Sequence, residues 1–130
     1  MTACVLDSSA ILAFVFEEPG AAVVSDWLDR GAVASTVIVQ EVATRLYREG
    51  YAPEDVAETI GTLGLTVADH TLPVALAAAA FYPDTKRFGL SHGDRSCLAL
   101  ARAMEVPVLT ADKAWSAVAG DLGVTVEQVR

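Results

Sequence analysis

Positive charge is what this chain has least of: nine Lys and Arg stand against seventeen Asp and Glu, a net charge of -8 at pH 7. That balance excludes a basic face able to hold a polyanion non-specifically, so any contact with nucleic acid has to be local. Cysteine is scarce too. Cys4 and Cys97 stand far apart among apolar neighbours, without the spacing of a metal knuckle or a disulfide framework, and read as small core residues. The two histidines are equally isolated: His70 precedes a helical run, His92 lies in a polar stretch, and both read as surface side chains. A glycine-rich phosphate loop is missing, and no serine has the context of a Ser-His-Asp nucleophile. The longest uncharged run, Thr71 to Pro83, falls short of the roughly 20 residues of a membrane span and carries a proline near each end. With no leader-like opening segment, the default expectation is a cytoplasmic protein without a membrane partner.

What is present is apolar. Over half of the 130 residues are hydrophobic, enough for one domain with a sizeable core and too few for two, so residues 1–130 read as a single domain. Ala3 to Leu6 reads as a buried strand, and Ser8-Ser9 opens a helix through Phe14. Glu17 to Gly20 breaks the chain; Ala21 to Arg30 resumes with helical spacing and stops at Gly31. A short strand at Ala32 to Ala34 meets the capping residues Ser35-Thr36, and the helix they start runs through Arg48 to Gly50.

Pro53-Glu54-Asp55 suits a first helical turn, with Gly61 and Gly64 ending that helix. Leu65 to Ala68 is a third strand, and Leu72 to Phe81 an alanine-rich helix stopped by Pro83. Asp84 to Gly93 has loop composition, and its Lys86-Arg87 is the one adjacent basic pair, the natural contact for a polyanion. An apolar helix through Met104, a strand at Pro107 to Thr110, a short helix holding Trp115 and Val118, and an edge strand at Gly123 to Val126 complete the chain. Strands alternating with helices predict a layered α/β fold with a parallel sheet.

Four acids stand out against this frame. Asp7 and Asp112 each follow a strand and open a helix, which also suits a helix cap. Asp94, three residues after Ser91, fits a capping box, and Glu41, four before Arg45, fits a surface ion pair. None is diagnostic alone. Together, Asp7, Asp94 and Asp112 are expected where strands end on one sheet edge, with Glu41 nearby, and ligands of open α/β sheets collect at that edge. Carboxylates sharing a pocket repel and take up protons unless a cation neutralises them, and hard oxygen donors suit Mg2+ or Mn2+ better than zinc. Ser9 and Thr110, beside acids at strand ends, are hydroxyls able to orient a water.

The run Val5-Leu6-Asp7-Ser8-Ser9-Ala10, Glu41 after the second strand, the stretch from Leu90 to Ala101 around Ser91-His92-Gly93-Asp94-Arg95, and Leu109-Thr110-Ala111-Asp112-Lys113 resemble the PIN-domain ribonucleases. The resemblance is greatest to the VapC-type toxins of bacterial toxin–antitoxin pairs and spans nearly the whole chain. It implies a PIN-like three-layer sandwich, a central parallel sheet of four to five strands with helices on both faces. It implies a toxin that hydrolyses RNA phosphodiesters through an acidic tetrad, Asp7, Glu41, Asp94 and Asp112, binding one or two Mg2+ or Mn2+ ions. Asp7 and Asp94 would be direct ligands, Ser9 and Thr110 would assist, and Lys86, Arg87, Lys113 and Arg45 would supply a positive rim. His92 stands where an apolar residue is the more usual choice. The expected partners are RNA, a cognate antitoxin and a second copy of the chain in a homodimer.

Two rival readings carry less. A phosphomonoesterase of the haloacid dehalogenase type needs a second Asp two residues after the first, where this chain has Ser9. A catalytically inactive PIN-like binding module would have lost one or more of the four acids, and all four are present. The first helix bears on partners: Ile11 to Phe16 is apolar on every face, more than covering a sheet requires, which implies either burial under the next helix or a groove for another chain.

Overall fold

The computed structural model describes residues 2–130. Uninterrupted apolar strands are what a parallel sheet covered on both faces requires, and Cys4–Leu6 (β1), Ala32–Ser35 (β2) and Val108–Thr110 (β4) are buried at every position. Thr66–Ala68 (β3) and Val126–Gln128 (β5) mix polar and apolar residues and are partly exposed, as edge strands should be. The five strands pair in the order β3-β2-β1-β4-β5, all parallel, in register Cys4 with Ala32, Val5 with both Val33 and Val108, and Leu6 with Leu109.

Eight helices pack around this sheet among the described residues, giving the expected three-layer α/β sandwich: Ser8–Val15 (α1), Ala21–Arg30 (α2), Thr36–Arg48 (α3), Pro53–Gly61 (α4), Leu72–Ala80 (α5), Tyr82–Thr85 (α6), His92–Met104 (α7) and Ala114–Leu122 (α8). Most of α7 is buried from Arg95 to Ala101, and its small residues Ser96, Ala99 and Ala101 let it lie close to its neighbours. Cys97 of this helix sits with its Sγ 3.6 Å from the Leu6 carbonyl, and both cysteines are free and buried, as their apolar surroundings imply. Leu6, Ile11, Ile38, Leu46, Leu98, Leu109 and Trp115 form the fully buried centre.

Strand succession runs outward one way from β1 to β3 and the other way through β4 and β5, so the order reverses between β1 and β4. Beyond the carboxyl ends of that strand pair lies the crevice where open α/β sheets bind ligands. The chain delivers Asp7 there directly: its N–H donates to the Leu109 carbonyl at 2.9 Å, extending the β1–β4 ladder by one residue.

Two segments differ from the reading of the sequence. Pro83 does not end structure but opens the short α6, where its missing N–H is harmless. A 3-10 turn over Lys86–Phe88 follows, and α7 already begins at His92, so the stretch 84–93 is only partly loop. The edge strand lies at Val126–Gln128 rather than Gly123 to Val126, because Gly123 at φ +68° is the left-handed cap that ends α8.

Candidate active site

Asp7 is 3 % exposed, an unusual place for a carboxylate without a salt bridge. It occupies the N-cap position of α1, yet its side chain makes no capping bond to that helix. Instead Oδ2 accepts the hydroxyl protons of Ser9 at 2.7 Å and Thr110 at 2.8 Å, while Oδ1 is buried with no partner at all. The two hydroxyls are fixed in turn, Ser9 Oγ accepting from the Ala111 N–H at 2.9 Å and Thr110 Oγ1 from the Asp112 N–H at 3.0 Å. Their hydrogen atoms therefore point to Asp7, and both residues hold that carboxylate in place.

The other acids gather through the same neighbours. Ser8, next to Asp7, donates to Glu41 Oε2 at 2.9 Å. Glu41 also lies over Gly93, where a Cβ would come within 1.7 Å of its Oε1, so the neighbour of Asp94 has to be a glycine for Glu41 to sit there. The bland partner suggested by spacing is not used: Arg45 pairs with Glu49, Nε to Oε1 at 2.7 Å. Asp94 forms the capping box, Oδ2 accepting from the Ser91 N–H at 2.9 Å while Ser91 Oγ accepts from the Asp94 N–H at 3.2 Å, which commits one carboxylate oxygen and no more. Asp112 is exposed at the rim, its Oδ1 accepting from the Ala114 N–H at 2.9 Å. Its backbone is clamped from the last strand, since the Gln128 amide donates to the Asp112 carbonyl at 2.9 Å.

These four acids feel one another electrically. Burial pushes Asp7 up to about 6, partly opposed by the Ser9 and Thr110 hydroxyls, and the charge on Asp94 adds to the rise. Burial likewise raises Glu41, against its bond from Ser8 and with the help of Asp94. Asp94 is raised by burial, opposed by Ser91 and reinforced by the charge of Asp112. Beneath them, the Cys97 thiol is pushed up by its own burial and by the charges of Asp7, Asp94 and Glu41 together. Asp7, Glu41 and Asp94, raised by burial and by neighbouring charge, are carboxylates whose ionised form a divalent cation would favour.

The donor set fits such an ion. It is all oxygen, it lacks the His and Cys that zinc recruits, and Asp7 Oδ1 is a buried acceptor with nothing to accept. Among the described residues no three of His, Cys, Asp and Glu approach closely enough to cage an ion between them. Mg2+ does not ask for a cage, because it keeps several waters and takes one or two carboxylates alongside substrate phosphates.

Of the basic residues expected at the rim, Lys113 donates its Nζ to the Arg130 carbonyl and Arg45 is engaged by Glu49. What the sequence reading passed over is Arg48, one helical turn from Arg45. Both arginines line a groove of about 520 Å3 with Leu12, Gln40, Glu41 and His92. A larger groove of about 640 Å3 involves none of the acids and runs between Phe14 and Val15 of α1, Ala22 of α2, Tyr51, and Leu63 beyond α4. Ser8 and Gly93 were missed as well; only the placement of Glu41 against them reveals their part.

A sequence profile of the PIN domain matches residues 4–121. No curated protein matches the sequence. Solved structures similar to the chain include DNA-bound VapBC from Salmonella typhimurium, with a TM-score of 0.77 at 17 % identity over 100 % of both chains. Another is VapC20 of Mycobacterium tuberculosis, a toxin that cleaves the sarcin-ricin loop, at TM-score 0.72 and 14 % identity over 89 % of this chain and 95 % of that one. A toxin–antitoxin complex from Klebsiella pneumoniae matches at TM-score 0.71 and 16 % identity over 98 % of both chains. At such identities the likeness is one of fold.

Proposed function

The chain belongs to the PIN domain family, and from that premise we propose that it is a divalent-metal-dependent endoribonuclease, the toxin of a toxin–antitoxin pair. The observation that carries the reading is Asp7: a buried carboxylate at the switch point of the sheet, braced on one oxygen by two hydroxyls and left with the other unpaired. Asp7 and Asp94 would hold Mg2+ or Mn2+ directly, each with one oxygen already fixed by the protein and one free, and Glu41 and Asp112 would complete the site. The ion supplies charge that offsets the carboxylates and stabilises the negative charge developing on a phosphodiester under attack by water.

The chain's own residues do the positioning. Ser9 and Thr110 oppose part of the effect of burial on Asp7 and hold it in one orientation, Ser91 does so for Asp94, and Ser8 holds Glu41 over Gly93. Arg48 lines the groove beside Glu41, next to Arg45 in its ion pair with Glu49, so an acidic protein presents positive charge beside its acids, where it can take a phosphate flanking the cut. The likeness to the sarcin-ricin-loop toxin supports RNA as the substrate class.

The groove beside α1 supports the antitoxin as partner. Phe14 and Val15 pack partly against the core and also line this concavity, so part of the apolar surface of the helix is left open to a segment of another chain. The complexes among the similar structures, VapBC and the Klebsiella toxin–antitoxin pair, favour the same view.

The test is cleavage of RNA by the partner-free protein with Mg2+ or Mn2+ and with chelator. Divalent-dependent cutting is expected, and Asp7→Asn or Asp94→Asn should lower it roughly a hundredfold or more, the scale of losing a group that stabilises transition-state charge. The rival, a binding module without catalysis, has in its favour the absence of a closed three-acid cage among the described residues. Titration calorimetry separates them: no Mn2+ binding and no cutting would leave the binding module.

A further inference from the structure

His92 lines two concavities, the groove holding Glu41 and, beside it, a pocket of about 430 Å3. That volume lies within the roughly 300–1,000 Å3 of small-molecule sites. The floor is Ala75 and Ala78 of α5, whose small side chains leave the space open, and Tyr82, His70 and Arg95 form its walls. Two features here, Tyr82 and His70, stand outside the acid cluster, and a third, Arg95, reaches it only through its charge, which lowers Asp94.

The first is Tyr82, 53 % exposed yet flanked by cations, with the Arg95 guanidinium carbon 5.4 Å and Lys86 Nζ 6.0 Å from the ring centre. The second is His70, whose Nδ1 is buried and has no hydrogen-bond partner. The third is Arg95 itself, 7 % exposed, which donates to the Leu90 carbonyl at 2.8 Å and to His92 Nδ1 at 3.0 Å but has no carboxylate in ion-pair contact among the described residues. A guanidinium is only a donor, so His92 Nδ1 accepts; the imidazole thereby stands as a fixed partition between the pocket and the groove of the acids.

A half-exposed tyrosine ring flanked by two cations, an imidazole lining the same pocket and a buried guanidinium held by no ion pair among the described residues are together the groups an unstacked nucleotide meets by stacking and edge hydrogen bonds. Single-stranded RNA is read by stacking splayed bases on aromatic or guanidinium planes and by hydrogen bonds to their edges. We propose that this pocket receives one base of the RNA strand whose phosphodiester lies over the acids, stacked on Tyr82 and bonded at its edge to His70. The proposal rests on the ribonuclease reading and adds to it a determinant of sequence preference.

The experiment measures anisotropy of fluorescein-labelled short single-stranded RNAs in chelator, so that nothing is cut: homopolymers of each base and an abasic strand of equal length. One base should be preferred several-fold over the others and over the abasic strand. Tyr82→Ala should weaken the preferred strand roughly fivefold or more, Tyr82→Phe should keep it, and neither should alter the abasic strand. His70→Ala should erase the preference among bases. Equal binding of abasic and base-bearing strands, or indifference to Tyr82→Ala, would overturn the proposal. So would a change in oligomeric state on Tyr82→Ala with RNA binding unaltered, which would assign the pocket to a protein contact. Cleavage in Mg2+ or Mn2+ is read in parallel on the wild-type protein. Base-selective binding without cutting refutes the ribonuclease and keeps the pocket; cutting with binding blind to Tyr82 and His70 does the reverse.

Discussion

Asp7 concentrates the tension in this molecule, since a carboxylate with one oxygen bonded and one orphaned is costly to ionise where it sits. Its position about two units above the ordinary value has a sign that can be followed. Below about pH 4 the folded and unfolded chains both hold the proton; between there and about 6 only the folded chain does. The metal-free protein should therefore lose stability as pH rises through that window, by on the order of 3 kcal/mol. Glu41 and Asp94 act in the same direction. Urea titrations without divalent ions check this, and a profile flat from pH 4 to 7 would contradict it. Asp7→Asn removes the charge but leaves an amide to satisfy, so at neutral pH the metal-free variant should be more stable by about 1 kcal/mol. In thermal melts it should also lose any stabilisation that Mn2+ confers on the wild type. Gly93 gives a complementary prediction. Gly93→Ala favours the helix by up to about 1 kcal/mol but drives Glu41 from its place, so the variant should melt no lower than wild type while cutting RNA at least tenfold more slowly. Unchanged cleavage would show that the seat of Glu41 does not matter.

Among the elements, α7 does two jobs with one residue. Asp94 caps the helix through one oxygen, as its spacing from Ser91 implied, and is raised by burial and by the charge of Asp112, so the cap and the acid cluster share one side chain. At the other end the helix stops at Glu105, exposed and left-handed at φ +56°, a conformation that only glycine adopts without penalty. Glu105→Gly should raise stability by about 0.5 kcal/mol, the relief of that strain less the entropy glycine adds to the unfolded chain. Equilibrium unfolding in urea with unchanged slope is the readout, and a loss would mean that the Glu105 side chain contributes something its exposure does not reveal. Much of this element was legible from sequence, because caps and apolar spacing act within a few residues. The stretch from Asp84 to Gly93 was not: proline and glycine mark turns, but whether a turn continues into α6 or a 3-10 turn depends on what packs over it, as Thr85 shows by being fully buried.

For the whole molecule, the exposed apolar residues are few, and two of them, Leu72 at 71 % and Leu76 at 63 %, are four apart on one face of α5. A homodimer, which the sequence leads us to expect, would bury this face. Leu72→Lys with Leu76→Lys should shift sedimentation toward the monomer at a concentration where wild type is paired, and a wild type that sediments as a monomer would refute it. The acids are the better lesson in how far a sequence reaches. Strand ends at Leu6 and Thr110, the α/β alternation and the four carboxylates themselves are local features, written in runs of apolar residues and the caps that follow them. Local pattern could not say that β1 and β4 are neighbours, because strand order is set by how helices of particular length and bulk pack across a sheet, and no residue encodes it alone. That adjacency makes Thr110 a partner of Asp7 over an interval of 103 residues, while the packing of α3 against α7 seats Glu41 over Gly93, and one oxygen of Asp7 is left unmatched. Proximity across the chain arises from the summed packing of the core, and with it arise the burial and the mutual charge that raise Asp7, Glu41 and Asp94.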